Sequence, residues 1–304
     1  MKLITYFKAL SDETRLRLFN LVMKHELNVN EIVAAMGMGQ SRISRHLKIL
    51  TDSGLLTSRR DGLWVFYRAV EDDDKHSAKK ILLDAVKSDP ELLSDVNNLE
   101  KVIIERSEEK VKYFDSIADN LPSIKKGILG NLNLSEKIAL NMPVCSVAAD
   151  LGCGTGDLVP YLSEKAGKVI GVDKSPGMLD EARERFAGMN GKIDFRIGSI
   201  EHLPMRDNET DCAVINMVLH YLQHPDEVVA ETARVLKKGG TLVITELEKH
   251  KVEDMRTEYG HRWLGLSSED MIRMLRKTGF SSVKKETFNA ERGLRINLFV
   301  SVKD

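Results

Sequence analysis

A short apolar segment followed by three closely spaced glycines constrains the fold of this chain more than any other feature. Residues 145–151 have the pattern of a buried strand, and Gly152-Cys153-Gly154-Thr155-Gly156 follows, with a helical segment from about Asp157. Glycine tolerates positive φ angles and leaves no side chain between the backbone and a bound molecule. The pattern predicts the first strand, loop and helix of an α/β nucleotide-binding sheet.

The spacing of these glycines separates two kinds of ligand. The dinucleotide pattern G-x-G-x-x-G, counted from Gly152, requires glycine at position 157, where this chain has Asp157. An acid, Asp150, precedes the loop, and an acid favours a ligand with an ammonium group and no phosphate. A second buried strand at 169–172 ends in Asp173, which is placed to accept both ribose hydroxyls. We therefore predict binding of S-adenosylmethionine or its demethylated product, S-adenosylhomocysteine, and not of NAD.

The rest of the C-terminal half alternates strands with helices. Further strands are predicted at 211–216 and 241–245, with a helix between them that ends at Gly239-Gly240. Two closing strands, 283–288 and 294–302, are predicted to be antiparallel. Alternation of this kind indicates right-handed βαβ units on a mostly parallel sheet.

The first seventy residues predict a helix-turn-helix. Capping residues at Ser11-Asp12-Glu13 start one helix, and a second spans about 29–36. The third helix begins at Gln40 or Ser41 and is capped at its end by Gly54. Asp61-Gly62 then predicts the turn of a β-hairpin, which would complete an α+β winged helix-turn-helix.

The outward face of the third helix and the hairpin is polar and basic. Residues 1–70 hold eleven Lys or Arg and six Asp or Glu, whereas the whole chain has a net charge of −1. Arg and Gln can read base edges in the major groove, and the other side chains suit phosphates. Predicted DNA contacts are Gln40, Ser41, Arg42, Ser44, Arg45, His46, Arg59 and Arg60. The alternative for this surface is a solvated helix and hairpin without a partner.

This region resembles the ArsR/SmtB family of winged-helix repressors. The resemblance rests on LSDETRLRLFNLV, SRISRHLKILTDSGLL and RRDGLWVFYR. It implies a homodimer that reads a pseudo-palindromic operator in double-stranded DNA. Many metal-sensing members have Cys-x-Cys on the second helix, where this chain has Asn28-Val29-Asn30, which excludes a thiolate sensor at that place. Because the three cysteines also lack CxxC spacing, no metal is predicted.

Residues 113–304 resemble the class I methyltransferases, a Rossmann-like α/β fold with a mostly parallel seven-stranded sheet. The matching strings are DLGCGTG, VIGVDKSPGMLDEAR, INMVLHYLQHPDEVVAETARVLKKGGTLVI and HRWLGLSSEDMIRMLRKTGF. By resemblance, the loop with Asp150 holds the methionine portion, Asp173 and Met178 frame the ribose, and residues 198–201 cover adenine. The family usually has an acid after Gly198, where this chain has Ser199, a weaker neutral partner for the adenine amino group. The predicted cofactor residues are Asp150, Gly152, Gly154, Gly156, Asp173, Met178, Ser199, Ile200 and Asn216.

Methyl transfer requires alignment more than acid–base groups, so the sequence need not contain a catalytic dyad. Candidates on the acceptor side are Asn216, His220, Tyr221 and His261. His220 is either a general base or a residue of the pocket wall. The run His261-Arg262-Trp263 either binds an anionic acceptor or closes the pocket.

These observations predict three parts: a DNA-binding domain at 1–70, a helical connector at 71–112 and a methyltransferase domain at 113–304. The connector either supports dimerisation and carries motion or is a passive spacer. The sequence lacks a secretory signal and an apolar run of about 20 residues, so we expect a cytoplasmic protein without a membrane span. The favoured function is an ArsR-type regulator whose effector is S-adenosylmethionine or S-adenosylhomocysteine. The alternative is an active methyltransferase for a small molecule, with a DNA-binding or dimerising appendage.

Overall fold

The computed structural model describes residues 2–70, 89–117, 121–189 and 191–304. Its internal contacts divide the chain into one compact unit at 1–109 and a second at 110–304. Residues 71–88 of the predicted connector lie outside the described residues. In the described part of the chain, no helix combines the length and the apolar character needed to cross a membrane.

The first unit is a winged helix-turn-helix. In chain order its elements are α1 (Lys2–Leu10), α2 (Glu13–Lys24), β1 (Leu27–Asn28), α3 (Val29–Met36), α4 (Gln40–Asp52), β2 (Leu56–Asp61), β3 (Trp64–Ala69) and the first part of α5 (Pro90–Ile117). The three strands form an antiparallel sheet in the order β1-β3-β2. The α+β winged-helix fold is therefore confirmed.

Local capping explains where these helices begin and end. The side chain of Asp12 accepts a hydrogen bond from the Arg15 amide at the start of α2, at 3.0 Å. Asn28 and Glu31 form a reciprocal capping box at the start of α3, with bonds of 3.1 and 2.9 Å. Gly37, with a φ of 62°, ends α3. Asn28 thus caps a helix at the position where metal-sensing relatives have a thiolate.

Helix α5 extends the core of the first unit beyond the predicted boundary at residue 70. Val96 and Leu99 are buried with the helices of the winged domain. Asp95 is also buried, and it accepts two hydrogen bonds from Arg17 of α2, at 2.7 and 2.8 Å. The first part of α5 is therefore a structural element of the first unit.

The hairpin turn is displaced by one residue from the prediction. Asp61 is the last residue of β2 and is paired with Trp64, so the turn lies at Gly62-Leu63. Gly62 has a φ of 59°, which a side chain disfavours. Asp61 is buried, where it accepts from Arg59 at 3.2 Å.

The second unit is a three-layer α/β domain. After the end of α5 its helices are α6 (Leu121–Leu129), α7 (Leu134–Leu140), α8 (Val159–Lys165), α9 (Pro176–Arg185), α10 (Pro225–Val235), α11 (Asp254–Thr257) and α12 (Ser268–Lys277). Its strands are β4 (Cys145–Leu151), β5 (Ala166–Asp173), β6 (Ile193–Ile197), β7 (Thr210–Asn216), β8 (Leu236–Leu247), β9 (Phe280–Asn289) and β10 (Arg295–Lys303).

The sheet has seven strands in the order β6-β5-β4-β7-β8-β10-β9. Strands β4, β5, β6, β7 and β8 are parallel to one another, and β10 is antiparallel to both β8 and β9. Successive residues of a central strand, such as Ala213 and Val214, belong to different apolar clusters. Both faces of the sheet are therefore covered. The predicted Rossmann-like architecture is confirmed.

Two helix boundaries differ from the prediction. Helix α8 begins at Val159 and not at Asp157, with Pro160 in its first turn. Helix α10 ends at Val235, before the predicted stop at Gly239-Gly240. Leu236 is already extended and pairs with Thr210 of β7, so tertiary strand pairing overrides the helical pattern here.

Candidate functional site

The glycine loop after β4 lies at the carboxyl edge of the parallel sheet, where β4 has β5 on one side and β7 on the other. Gly152, Gly154 and Gly156 have φ angles of 79°, 53° and 80°. The amides of Gly152 and Cys153 donate to the Val172 carbonyl, at 2.8 and 3.0 Å. A Cβ atom at Gly152 would lie 2.7 Å from Cγ2 of Val218. The loop therefore requires glycine, and it presents bare backbone at the point where the strand order reverses.

Asp150 is the last residue but one before this loop, and its carboxylate is buried without a hydrogen-bond partner among the described residues. Its side chain is 1% exposed, and neither carboxylate oxygen has a hydrogen-bond partner among the described residues. Burial raises the pKa of Asp150 to about 7, and the positive charge of Lys125 opposes that shift. A buried acid without a partner is unfavourable unless a ligand supplies one. The site therefore fits a ligand with an ammonium group.

Asp173 connects the two sides of the same crevice. At the end of β5, its Oδ2 accepts from the Gly154 amide at 2.8 Å and its Oδ1 accepts from the Ser175 amide at 2.9 Å. Burial raises the pKa of Asp173, and these backbone hydrogen bonds oppose the shift. Ser175 caps α9 by accepting from the amide of Met178, which is buried. The predicted ribose residues Asp173 and Met178 are thus brought together by one turn.

The predicted adenine segment follows β6. Its first residue, Gly198, donates from its amide to the Asp173 carbonyl at 2.9 Å, which brings the segment to the same edge. Ile200 is buried, and the hydroxyl of Ser199 donates to the carboxylate of Glu201. An acid is therefore present two residues after the position where the family usually has one.

Asn216 and His220 follow β7, and both contact β8. The side-chain oxygen of Asn216 accepts from the Thr245 hydroxyl at 2.7 Å. Nδ1 of His220 lies 2.6 Å from Oε1 of Glu246, and the His220 amide donates to Oε2 at 3.0 Å. Burial raises the pKa of Glu246 to about 8, against the effect of backbone hydrogen bonds from Leu247 and His220. Glu246 was not among the predicted site residues, although its position directly after the predicted strand 241–245 is a usable signal.

Three of the four catalytic candidates form one buried cluster. The ring centroid of His220 lies 4.0 Å from that of His261 and 4.2 Å from that of Tyr221. Burial raises the pKa of Tyr221. The amides of Arg262 and Trp263 both donate to the His220 carbonyl, at 2.9 and 3.0 Å. The run 261–263 therefore anchors the segment that carries His220, whereas Asn216 is held separately by Thr245.

The DNA-reading helix presents only part of the predicted set. Gln40, Ser41 and Arg45 are exposed and Ser44 is half-buried. Arg42 is also exposed but donates to the Thr14 hydroxyl of α2 at 3.1 Å. The His46 side chain is only 14% exposed and lies 3.7 Å from Asp12. Contacts with the start of α2 thus hold Arg42, which stays exposed, and largely cover His46.

The two predicted phosphate contacts of the hairpin, Arg59 and Arg60, differ in their surroundings. Arg59 reaches Glu26 at 3.3 Å and Asp61 at 3.2 Å, and its guanidinium lies over the Phe66 ring. Arg60 and Arg68 are exposed. Arg59 is thus engaged in ion pairs although its side chain is 37% exposed, and DNA contacts from Arg59 and Arg60 both stay predictions.

No cluster of three or more His, Cys, Asp or Glu side chains suited to a metal ion occurs within the described ranges. The absence of a metal from the functional cycle stays a prediction.

The fold consists of a winged helix-turn-helix unit and a Rossmann-like unit with an acid–glycine crevice. Residues 12–58 match the family model of the bacterial regulatory protein arsR family, and residues 149–244 match the methyltransferase domain model. The chain thus contains an ArsR-family helix-turn-helix domain and a class I methyltransferase domain.

The first curated relatives match between a third and just over half of this chain. Over 105 residues, 33% of this chain, the sequence is 38% identical to the ubiquinone/menaquinone biosynthesis C-methyltransferase UbiE of Pseudomonas putida strain GB-1, covering 41% of that protein. The chain spans between about a third and two fifths of the length of the first curated relatives it matches.

Two solved structures have the same fold. The cyclase SpnF is 21% identical with a TM-score of 0.54, and the match covers 63% of this chain and 94% of SpnF. A SAM-dependent methyltransferase from Aquifex aeolicus is 20% identical with a TM-score of 0.50, covering 62% of this chain and 98% of that one. One fold thus includes proteins described as a cyclase and as a methyltransferase, so the fold alone does not define the reaction.

Proposed function

We propose that this chain is an ArsR-type transcriptional regulator whose methyltransferase domain takes S-adenosylmethionine or S-adenosylhomocysteine as its effector. The observation that carries the proposal is Asp150, a buried carboxylate without a partner among the described residues, beneath a bare glycine loop. The same chain contains an arsR-family domain whose thiolate positions are asparagines. A regulator without that metal site requires another input, and the crevice provides one.

Each part of the ligand has a corresponding group in the crevice. The carboxylate of Asp150 accepts the ammonium group, and the loop from Gly152 to Gly156 lies along the methionine portion. Asp173 accepts the ribose hydroxyls, with Met178 beside it. Ser199 and Ile200 cover adenine, and the contact of Ser199 with Glu201 supports an acidic partner for the adenine amino group.

The first unit supplies the DNA-binding surface of the proposed regulator. Gln40, Ser41 and Arg45 read base edges, and Arg60 contacts the backbone. Two α1 side chains support a homodimer, because Ile4 and Phe7 are 53% and 58% exposed and lie three residues apart on one helix face. A second copy that covers this face would pair two reading helices on an operator with two-fold symmetry. The proposed place of action is the cytoplasm, where bacterial operator DNA lies.

A DNA-binding titration tests the regulator directly. Fluorescence anisotropy of a labelled fragment of the chain's own promoter is measured with no ligand, with S-adenosylmethionine and with S-adenosylhomocysteine. We expect at least one form to change the DNA Kd by roughly 5- to 150-fold, the usual range of allosteric coupling. An unchanged Kd with both forms, at concentrations that calorimetry shows to be saturating, would exclude the effector role.

The second candidate function is methyl transfer to a small molecule, and the buried pair of His220 and Glu246 favours it. In this alternative the bound cofactor supplies an electrophilic methyl group. His220, oriented by Glu246, accepts the proton of an acceptor hydroxyl, and Tyr221 and His261 line the same space. Burial raises the pKa of Glu246 to about 8, so above that pH its ionised form would stabilise the imidazolium that His220 becomes on accepting a proton.

Mass spectrometry of candidate hydroxyl acceptors, incubated with S-adenosylmethionine between pH 7 and 9, tests the enzyme. Methylated product that increases with pH and is lost in His220→Ala supports it. Tyr161→Phe, which removes an exposed hydroxyl far from this pair in the chain, is the control. Absence of product at every pH, with ligand bound, favours the regulator.

A further inference from the structure

The last turn of α5 contacts elements on opposite sides of the ligand crevice through three consecutive residues. Asp115 Oδ1 accepts hydrogen bonds from the Ser175 hydroxyl and from the Gly177 amide, the latter at 3.1 Å. Phe114 packs edge-on against Tyr221, with ring centroids 5.0 Å apart. Tyr113 donates from its hydroxyl to the Glu258 carbonyl at 3.3 Å. Consecutive helical residues point about 100° apart, so one helix end reaches all of these partners.

Asp115 continues the hydrogen-bond chain that begins in the glycine loop. The Gly154 amide donates to Asp173, the Ser175 amide donates to the same carboxylate, and the Ser175 hydroxyl donates to Asp115. Ser175 also accepts from the Met178 amide at 3.1 Å, so its hydroxyl both donates and accepts in this turn. The position of the proposed ribose acid, Asp173, therefore depends in part on a residue of α5.

Gly177 shows that this approach is close. A Cβ atom at Gly177 would lie 3.0 Å from Oδ1 of Asp115 and 3.4 Å from its Cα. Gly177 also lies in the first turn of α9, where the helix dipole favours a negative charge, and the carboxylate of Asp115 supplies it. Asp115 is thus held in place by hydrogen bonds, helix polarity and contact with a glycine.

The other end of the same helix is built into the DNA-binding unit. Helix α5 begins at Pro90, and Val96 and Leu99 are buried in the winged-domain core. Asp95 binds Arg17 of α2 through two hydrogen bonds. Helix α2 in turn contacts the reading helix α4, through Thr14 and Arg42. One continuous helix therefore has structural contacts in both units.

We propose that Asp115 is the positioning residue through which a ligand bound at Asp173 acts on α5 and so on DNA binding. The proposal rests on the regulator function proposed above. Ribose hydroxyls on Asp173 would hold the turn 173–177 in the conformation that presents Ser175 and Gly177 to Asp115. The last turn of α5 would then be ordered when ligand is bound and would fray without it. This difference between two states is what coupling of two sites requires.

The test compares full-length wild type, Asp115→Ala, Asp115→Asn and a control, Glu109→Gln. Glu109 is an exposed acid six residues earlier on the same helix. The measured quantity is the ratio of DNA Kd values with and without saturating S-adenosylhomocysteine. We expect Glu109→Gln to keep the wild-type ratio and Asp115→Ala to bring it within about twofold of one, with ligand-free DNA affinity unchanged. Asp115→Asn keeps an accepting oxygen, so it should give an intermediate ratio.

A wild-type ratio in Asp115→Ala, with an effect of ligand in wild type, would refute the positioning role and leave the regulator function standing. Hydrogen exchange of residues 110–117 provides a readout that does not depend on DNA. In wild type we expect S-adenosylhomocysteine to slow exchange in this segment by at least fivefold, and in Asp115→Ala to have little effect. If the ligand leaves the DNA Kd of wild type unchanged, the regulator function fails. If the ligand then also slows hydrogen exchange of residues 110–117 equally in wild type and Asp115→Ala, the positioning role of Asp115 is overturned as well.

Discussion

At the scale of single residues, the proposed ligand binding depends on the buried carboxylate of Asp150. Its carboxylate is buried, lacks a hydrogen-bond partner among the described residues, and has a pKa near 7. The folded protein therefore holds a proton between about pH 4 and 7 that the unfolded chain releases. Stability falls as the pH rises through this window, and the loss is complete above the folded pKa.

Asp150→Asn should make the ligand-free protein more stable at pH 8 while abolishing ligand binding. A shift of three pKa units corresponds to a free energy of unfolding of the order of 4 kcal/mol, and the variant should recover part of it. At pH 4 the two proteins should be equally stable, because the wild-type carboxyl is then protonated. Urea unfolding at both pH values measures the difference, with the exposed acid variant Asp180→Asn as control. A lower stability at pH 8 would contradict the assignment.

Ligand affinity should depend on pH through the same carboxylate. Because an ammonium group binds the ionised form of Asp150, the Kd of S-adenosylhomocysteine should rise as the pH falls below 7, by up to about tenfold per unit. Calorimetry at pH 5.5 to 8 measures this dependence, and proton uptake or release is obtained from buffers of different ionisation enthalpy. A Kd that is constant over this range would separate Asp150 from the ligand ammonium.

At the scale of elements, the glycine loop is proposed to bind the ligand and helix α4 is proposed to bind DNA. The loop requires positive φ at three positions and a close approach to Val218 and Phe186. Helix α4 buries Ile43, Leu47 and Leu50 and leaves its polar face outside. Substitutions in either element should therefore affect one activity and spare the other.

Gly152→Ala should destabilise the second unit by about 2 kcal/mol, because alanine disfavours this φ and its Cβ would collide with Val218. Ligand binding should be lost even below the melting temperature, whereas DNA binding without ligand should persist. Thermal unfolding and calorimetry measure both effects. Gly188→Ala is the matched control, since its Cβ would have no neighbour within 4 Å. A stable Gly152→Ala protein that binds ligand normally would disprove this account of the loop.

Arg45→Ala and Arg59→Ala should differ in their effects on the operator complex. Loss of one base-reading arginine weakens operator binding by about tenfold, and we expect this for Arg45. Arg59 is paired with Glu26 and Asp61, so its removal should lower thermal stability and leave the salt dependence of DNA binding unchanged. Anisotropy titrations at several salt concentrations give the operator Kd and its salt dependence, and thermal unfolding gives the stability. If Arg59→Ala reduces the salt slope by about one charge, Arg59 contacts the DNA backbone in spite of its ion pairs.

At the scale of the whole molecule, one chain joins a DNA-binding unit to a ligand crevice through the continuous helix α5. Thermodynamic linkage requires that coupling between the two sites of the proposed regulator be reciprocal. If the ligand changes the DNA Kd by a given factor, operator DNA must change the ligand Kd by the same factor.

We therefore expect calorimetric titration of S-adenosylhomocysteine to give two ligand Kd values, with and without saturating operator DNA, whose ratio equals the ratio from the DNA titrations. Scrambled DNA of equal length is the control and should have a smaller effect. A DNA response to ligand without a reciprocal change would mean that the ligand acts by another route, such as turnover.

Local patterns in the sequence determined most of the fold. The ends of α3 follow from Asn28, Glu31 and Gly37, and the start of α2 follows from Asp12. The strand before Gly152 and the strand that ends in Asp173 were likewise evident from apolar runs. Such signals are readable because caps, turns and hydrophobic periodicity depend on residues within a few positions of each other.

Tertiary structure decided which distant side chains meet. Arg59 and Glu26 are 33 positions apart, His220 and Glu246 are 26 apart, and Asp115 and Ser175 are 60 apart. Helix α5 was assigned to a separate connector because its apolar stripe shows that one face is buried but not against which core. Packing alone determines which partner a buried face or a buried charge finds, because the chain must close long loops to bring these groups together.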